Sequence, residues 1–402
     1  MERSGLGRHL LLFEPCFAAI IRLDSIGTEV WRLIDGRRSI KVIATAIRDR
    51  FPGVDADVAK DVRLFIADLA KRGFVTFPNS PFLQPSASTG SSAPIRNGKT
   101  ESIEEQGLKY ALDLADGSRL AIAAADADAE RVVERFALAA RLAPVRTSAR
   151  RRRILVAAVP NSDGAAGRPL RTTDPAACLI DRFSPGPLRQ VGRSRGSIRL
   201  VTESEWLWRQ LVRLSSFIGR EAQACGGVLL HGALAVYSPP GRTGGEAGVL
   251  LAGRSGVGKS TASGRLPQSW RSLCDDTALV VRREDGSYWA HPWPTWSRFF
   301  AGGTGHGWEV QHAVPLRAVF ILEQAKRESV QPSGPSEAVC MLSEIARQAA
   351  RHLWRGAGPA ELAAFHRQRF DNLCGMAQAL PVHLLDVSLK GHFWREMERV
   401  LE

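Results

Sequence analysis

The 402-residue chain is 44% apolar and 24% charged, which excludes a disordered polymer and leaves ample material for buried cores. An ordinary domain takes about 100 to 200 residues, so two or three units are expected. The formal net charge of +13 is unevenly placed, because residues 141–220 hold 16 Arg, no Lys and five acidic residues. Such a field attracts any anion, whether nucleic acid, acidic peptide or nucleotide phosphate, but an Arg-rich solvated surface is the better account of it.

The six cysteines, Cys16, Cys178, Cys225, Cys274, Cys340 and Cys374, stand far apart with no C-x-x-C pair. That spacing argues against a zinc ribbon or a redox dithiol and for reduced thiols. The opening residues Met1-Glu2-Arg3-Ser4-Gly5 do not read as an export signal, and no apolar run approaches the roughly 20 residues that span a bilayer. A cytoplasmic protein with no membrane partner is expected.

In chain order, residues 1–78 read as a small α+β domain. Strand-like runs at His9 to Phe13 and Ala18 to Leu23 precede three helical patterns, and a short strand is expected at Phe74 to Phe77. Asp24 or Ser25 is placed to cap the first helix, whose apolar positions Ile26, Val30, Leu33 and Ile34 stop before Gly36. Ile40, Ile43 and Ile47 mark the second helix, and Val58, Val62, Phe65, Ile66 and Leu69 form the stripe of the third. The order is that of a winged helix. Residues 79–103 are rich in Ser, Pro and Gly and read as a flexible linker.

From residue 104 to 402 the pattern is α/β, with strands near Tyr110 to Leu114, Ile154 to Val159 and Val249 to Ala252 and helices near Asp128 to Arg141 and Glu205 to Ala224. Directly after Val249-Leu250-Leu251-Ala252 comes Gly253-Arg254-Ser255-Gly256-Val257-Gly258-Lys259-Ser260, followed by Thr261. This is the G-x-x-x-x-G-K-[ST] phosphate loop in its proper setting of strand, loop and helix. Glycines let backbone amides curl around phosphate oxygens, Lys259 reaches the β and γ phosphates, and the Ser260 hydroxyl can ligate Mg²⁺. Asp275 and Asp276 follow closely and open an apolar run; two carboxylates beside a metal-bound nucleotide can divide the labour of holding the metal and taking a proton. Upstream, His231-Gly232 lies inside the strand-like run Val228 to Val236.

The ordered set of His231-Gly232, Gly253 to Ser260 and Asp275-Asp276 resembles the catalytic core of the HPr serine kinase family, over roughly residues 225 to 325. The resemblance implies a P-loop kinase fold in which ATP and Mg²⁺ are held by Gly253 to Thr261. It further implies Asp275 as general base, Asp276 with Ser260 on the metal and His231 in support, with the roles of Asp275 and Asp276 open to exchange. Cys274 departs from the alanine usual there, and His291-Pro292-Trp293-Pro294-Thr295-Trp296-Ser297-Arg298 replaces the family's downstream segment. These features are similar to the HPr-kinase-related proteins of peptide-natural-product cassettes. Residues 1–78 resemble the PqqD-like peptide chaperones, or RiPP recognition elements, through Leu23 to Gly36 and the two later helices. There a leader peptide adds to the edge strand Ala18 to Leu23 and lies against the third helix, where Lys60, Arg63 and Lys71 are placed to meet its acids.

The expected function is therefore a leader-guided kinase acting on Ser or Thr of a precursor peptide, with Arg254 or Arg298 as further phosphate ligands. Trp293, Trp296 and Trp308 can be read as a ligand wall or as packing, and their density favours packing. Two rivals come from other classes: a winged-helix DNA-binding regulator with an ATPase switch, and a nucleotide-dependent peptide-delivery scaffold. Against DNA, residues 1–80 carry only 13 basic to 10 acidic residues. Against a scaffold stands the intact set of Lys259, Ser260, Asp275 and Asp276. An oligomer is compatible with everything above.

Overall fold

The computed structural model describes residues 2–3, 10–16, 18–52, 57–75, 106–124, 126–145, 152–158, 178–183, 203–239, 246–254, 256–301, 307–350 and 358–402. The chain divides into two compact units. One comprises Met1–Asn97 with Ser333–Ser343 and Gly356–Gln378; the other comprises Gly98–Pro332 with Glu344–Arg355 and Ala379–Glu402. These units are not contiguous in sequence, since two carboxy-terminal segments group with the amino-terminal one. The linker expected at residues 79–103 lies outside the described residues.

In the first unit, β1 (Glu2–Arg3), β2 (Leu10–Glu14) and β3 (Ala19–Leu23) form an antiparallel sheet in that order. Among the described residues β3 is paired on one side only, to β2, which leaves it as an edge. Helix α1 (Ser25–Leu33) starts where the Asp24 carboxylate accepts the Gly27 N–H at 2.7 Å, so the sequence-predicted cap is the real one. Helices α2 (Ile40–Arg50) and α3 (Val58–Lys71) are capped by Ser39 and Asp57. Val30, Ile43, Ile47, Val58, Val62 and Ile66 form one core cluster, and Leu10, Leu12, Leu23 and Leu69 a second beneath the sheet. Gly73 takes a φ of +82° and ends α3. The strand expected at Phe74 to Phe77 is not formed at Phe74 and Val75, and its remainder lies outside the described residues.

The second unit opens with a five-stranded sheet. Its elements are β4 (Gln106–Asp113), β5 (Arg119–Ala124), α4 (Ala127–Ala139), β6 (Pro144–Val145), β7 (Arg152–Ala158) and β8 (Cys178–Phe183), in strand order β6-β4-β5-β7-β8. Strands β5, β7 and β8 run parallel, with α4 between β5 and β7. After α5 (Glu203–Ala224) come β9 (Val228–Tyr237), β10 (Ala247–Ala252), α6 (Lys259–Gly264), β11 (Trp270–Cys274), β12 (Thr277–Arg282), β13 (Tyr288–Trp293), α7 (Trp296–Ala301), β14 (Val314–Gln324) and β15 (Ser329–Pro332). The chain ends through α8 (Pro335–Ala349), α9 (Pro359–Ala379), β16 (Val382–Val387) and α10 (Trp394–Leu401).

Strand β10 lies between β9, antiparallel, and β14, parallel. The other half of β9 pairs with β12, β12 with β13, and β13 with the start of β14, so the pairings close a circuit around β10. The two sheets of this unit are tied at His291 of β13, only 1% exposed. Its Nε2 accepts the Ala115 N–H at 3.0 Å, from the turn after β4, and its Nδ1 lies 2.7 Å from the Val310 carbonyl. The neutral ring with its proton on Nδ1 satisfies both bonds, whereas a second proton would break the first.

Burial pushes the pKa of His291 down from its ordinary 6.5, and burial acts in the same direction on His366 and His383. The unfolded chain therefore takes up these protons first, so their contribution to stability is complete above about pH 6.5 and is lost as the pH falls further. The urea midpoint is expected to drop between about pH 7.5 and 5.5, with a shallower slope in His291→Gln; a flat wild-type profile over that window refutes the neutral-histidine account.

Candidate functional site

Residues Val249 to Ala252 of β10 are fully buried, and the chain leaves the sheet at Gly253 with φ +149°. Gly256 and Gly258 take φ of +83° and +101°, and a Cβ at either would meet nothing within 4 Å. The demand for glycine at these two positions is therefore conformational, not steric. Lys259, at the start of α6, is 7% exposed and donates to the carbonyls of Gly253 at 3.1 Å and Arg254 at 3.2 Å. Burial pushes its pKa down, and the field of Asp276 works against that. Among the described residues no carboxylate lies within ion-pair distance of its ammonium, so a largely desolvated cation is left for an outside anion. Ser260 and Thr261 follow on exposed positions of α6, and Ser255 lies outside the described residues.

Asp275 and Asp276 occupy the bend between β11 and β12. The Gly232 N–H donates to the Asp276 carbonyl at 2.8 Å, and Thr277 stands opposite His231 across the β9–β12 ladder. Asp276 Oδ1 is 3.3 Å from His231 Nδ1, and the Thr277 hydroxyl donates to Oδ2 at 3.4 Å. Asp275 has other partners: the Arg298 guanidinium 2.5 Å from Oδ2 and the Thr295 hydroxyl donating to Oδ1 at 3.4 Å. The Asp276 side chain is 42% exposed and that of Asp275 17%, so the two adjacent carboxylates differ in access. Sequence reasoning missed Thr295, whose approach to Asp275 has no local signature. Arg254 is exposed and acts on Glu344, helping to hold that carboxyl below its usual range, instead of joining the aspartates.

The pair His231-Gly232 has a physical reason. A Cβ on Gly232 would sit 2.9 Å from the Leu251 carbonyl and 3.0 Å from Leu250 Cγ, so only glycine lets β9 approach β10 there while its neighbour supplies the imidazole. Cys274 is buried, donates to the Thr277 carbonyl at 3.0 Å, and has its pKa pushed up by burial to about 11. It is an inert part of the wall.

A cavity of about 300 Å³ opens beside His231 and Asp276, with Thr277 and Thr295 on its wall. Among the described residues no group of three or more His, Cys, Asp or Glu gathers into a metal cage. The donor set nonetheless fits Mg²⁺, which takes one or two protein oxygens and completes its shell with phosphate and water, and Lys259 fits a triphosphate. In the first unit, a groove of about 510 Å³ lies between β3 and α3, lined by Ile21, Leu23, Val62 and Phe65 with Arg22 and Asp61 among its charged groups. Lys60, Arg63 and Lys71 are exposed on α3 but do not line it.

Residues 197–402, just over half of the chain, match the family described as SynChlorMet cassette protein ScmC. Residues 17–75, which carry β3 and all three helices of the groove, match coenzyme PQQ synthesis protein D, PqqD. The chain is 36% identical over 53 residues to the PqqA binding protein of Pseudomonas aeruginosa (strain UCBPP-PA14), covering 12% of this chain and 54% of that protein. It is 33% identical over 57 residues to the PqqA binding protein of Rhodopseudomonas palustris (strain TIE-1), covering 14% and 56%. The chain thus spans about half the length of the curated relatives it matches.

Because the Gly232 seam positions both His231 and the Asp276 carbonyl, Gly232→Ala is expected to destabilise the second unit by about 1 to 3 kcal/mol, the usual cost of overpacking. A calorimetric melt reads it. An unchanged melting temperature means the strands can part without cost and removes the close approach as the reason for glycine.

Proposed function

The chain belongs to the ScmC family of SynChlorMet cassette proteins and carries a PqqD domain, and from that premise we propose that it is a leader-guided kinase transferring the γ-phosphoryl group of ATP to a Ser or Thr hydroxyl of a ribosomally made precursor peptide. The observation that supports the reading is Asp276, which stands with His231 on the wall of a side-chain-sized cavity and whose field reaches the buried Lys259.

In this reading Lys259 holds the β and γ phosphates, and Ser260 offers a hydroxyl to Mg²⁺. The metal, when bound, supplies charge neutralisation along the phosphates. The acceptor oxygen forms its bond to phosphorus as the bond to the ADP oxygen breaks, and the hydroxyl proton passes to a carboxylate. The sequence pattern pointed to Asp275 for that proton and Asp276 for the metal. Geometry favours the exchange. Asp276 borders the cavity and is backed by His231, whereas Asp275 is more covered and held by Arg298, so an acceptor hydroxyl reaches Asp276 first. Asp275 then serves with Ser260 on the metal side.

The PqqD domain brings the peptide. An extended leader adding to the open edge of β3 gains main-chain hydrogen bonds, and the apolar groove against α3 takes alternate side chains. The groove has little basic lining beyond Arg22, which favours a peptide over duplex DNA as its occupant.

Asp276→Asn is expected to reduce phosphoryl transfer by roughly 100-fold or more while nucleotide affinity stays within about two-fold, and Lys259→Ala to weaken both. Labelled ATP and a candidate precursor peptide provide the assay, with calorimetry for nucleotide binding. Near-normal transfer by Asp276→Asn overturns the exchange of roles. Separately, Ile21→Pro in the β3 edge is expected to raise the peptide concentration needed by about 10-fold or more without changing ATP binding, in protein whose circular dichroism is unaltered. Unchanged peptide dependence removes the guidance role.

A further inference from the structure

The cavity beside Asp276 has more definition than an acceptor hydroxyl requires. Its volume of about 300 Å³ is at the small end of ligand sites, enough for one side chain and too little for a length of peptide. Three of its walls are indoles, those of Trp208 from α5, Trp293 from β13 and Trp296 at the start of α7. Two of them are held by neighbours. The Trp293 Nε1–H donates to the Ser215 hydroxyl, and Trp296 packs on Phe136 at 5.8 Å between ring centroids and edge-on against Phe299 at 6.0 Å. The Trp293 N–H is thereby satisfied inside the protein, and its ring, only 1% exposed, forms a closed part of the wall. Gln348 of α8 stands at the wall too; its Nε2 donates to Glu344, while its Oε1 is buried with no hydrogen-bond partner among the described residues. A buried acceptor without a donor costs free energy until a ligand supplies one.

These walls match a flat ring with an N–H or O–H on its edge. The described residues of the phosphate loop, Gly253, Arg254 and Gly256 to Ser260, do not line the cavity, whereas His231 and Asp276 do. A nucleotide held by that loop therefore has its phosphates elsewhere, and the occupant is set beside the carboxylate that faces the acceptor. We propose that this cavity is a specificity pocket for an aromatic side chain of the precursor, tryptophan or tyrosine, adjacent in sequence to the hydroxyl residue that is phosphorylated. The proposal rests on the kinase reading for its second half: filling the pocket brings the neighbouring hydroxyl to Asp276. Stacking between fixed rings supplies the affinity, and Gln348 distinguishes a donor-bearing ring from phenylalanine.

The test uses the full-length protein and ligand-observed NMR with N-acetyl-L-tryptophanamide, N-acetyl-L-phenylalaninamide, N-acetyl-L-alaninamide and adenosine as probes. The tryptophan amide is expected to bind at least about 10-fold more tightly than the alanine amide, and adenosine not to displace it. Gln348→Leu is expected to weaken the tryptophan amide by roughly 5- to 10-fold and to leave the phenylalanine amide unchanged. Ser216→Phe, which puts a ring into the same cavity, is expected to abolish binding of both, with circular dichroism reporting the fold of each variant. The pocket assignment falls if the three amides bind alike, if adenosine displaces the tryptophan amide, or if Gln348→Leu, folded, weakens all probes equally or none. Failure of the kinase reading looks different: selective aromatic binding persists, and no γ-phosphoryl group reaches any precursor peptide.

Discussion

The close approach of three backbones around β10 is the constraint on which the second unit depends. On one side β9 reaches β10 at Gly232, where a Cβ would lie 2.9 Å from a carbonyl of the neighbouring strand. On the other, β14 reaches it at Gly248 and again at Gly253, where a Cβ would lie 2.9 Å from the Pro315 carbonyl and 3.1 Å from the Leu322 carbonyl. Side chains are absent from these seams because there is no room for them. The strand between is fully buried and cannot shift without dragging its neighbours, so the chain emerges at Gly253 from a fixed point. The position of Lys259 is then set by a short loop whose glycines have adopted left-handed conformations, and not by contacts of its own side chain with solvent.

The same sheet explains how two consecutive aspartates acquire different surroundings. They sit in the bend where β11 ends and β12 begins, both of which pair with β9. Asp276 is tied to β9 through its carbonyl and faces His231. Asp275 meets Thr295 and Arg298, which follow β13 in the chain. A change of one residue in register would exchange these neighbourhoods. The different surroundings of the two carboxylates are thus a property of strand pairing, and Cys274, held to the Thr277 carbonyl, helps fix the bend.

Local chemistry was legible in the sequence and non-local chemistry was not. Asp24 as a cap, the stripe from Val58 to Leu69 and the glycine-rich turn between an apolar strand and a helix each depend on residues a few positions apart, and each is found where the pattern puts it. The pairing of Asp275 with Arg298 depends on how β12 and β13 return, which no spacing rule encodes. Domain membership shows the same limit. A change in composition after residue 78 marks a boundary, yet Phe13 stacks on Phe370 at 4.3 Å and His366 Nδ1 lies 2.8 Å from the Pro15 carbonyl, so α9 completes the amino-terminal unit. The tryptophans expose a false choice between packing and ligand wall. Trp293 and Trp296 are buried, as their density led one to expect, and they also form part of the cavity wall, so packing and lining are not exclusive.

Under the proposed reading, two kinds of peptide recognition occur on one chain, and their physics differs in a way that assigns them different tasks. Addition of a strand to β3 draws on main-chain hydrogen bonds that nearly every sequence can make, with an apolar groove that tolerates many side chains of similar size. Such a site gives affinity for an extended, apolar leader and discriminates weakly among the hydroxyls that follow it. Discrimination needs rigid walls and a polar group that is left unsatisfied by the wrong ligand, because an apolar cavity alone distinguishes neighbours by only about 1 to 3 kcal/mol. The packed indoles and the Gln348 oxygen, unpartnered among the described residues, have that character, and the groove against α3 does not. Choice of precursor therefore belongs to the PqqD domain, and choice of residue within the precursor belongs to the cavity beside Asp276.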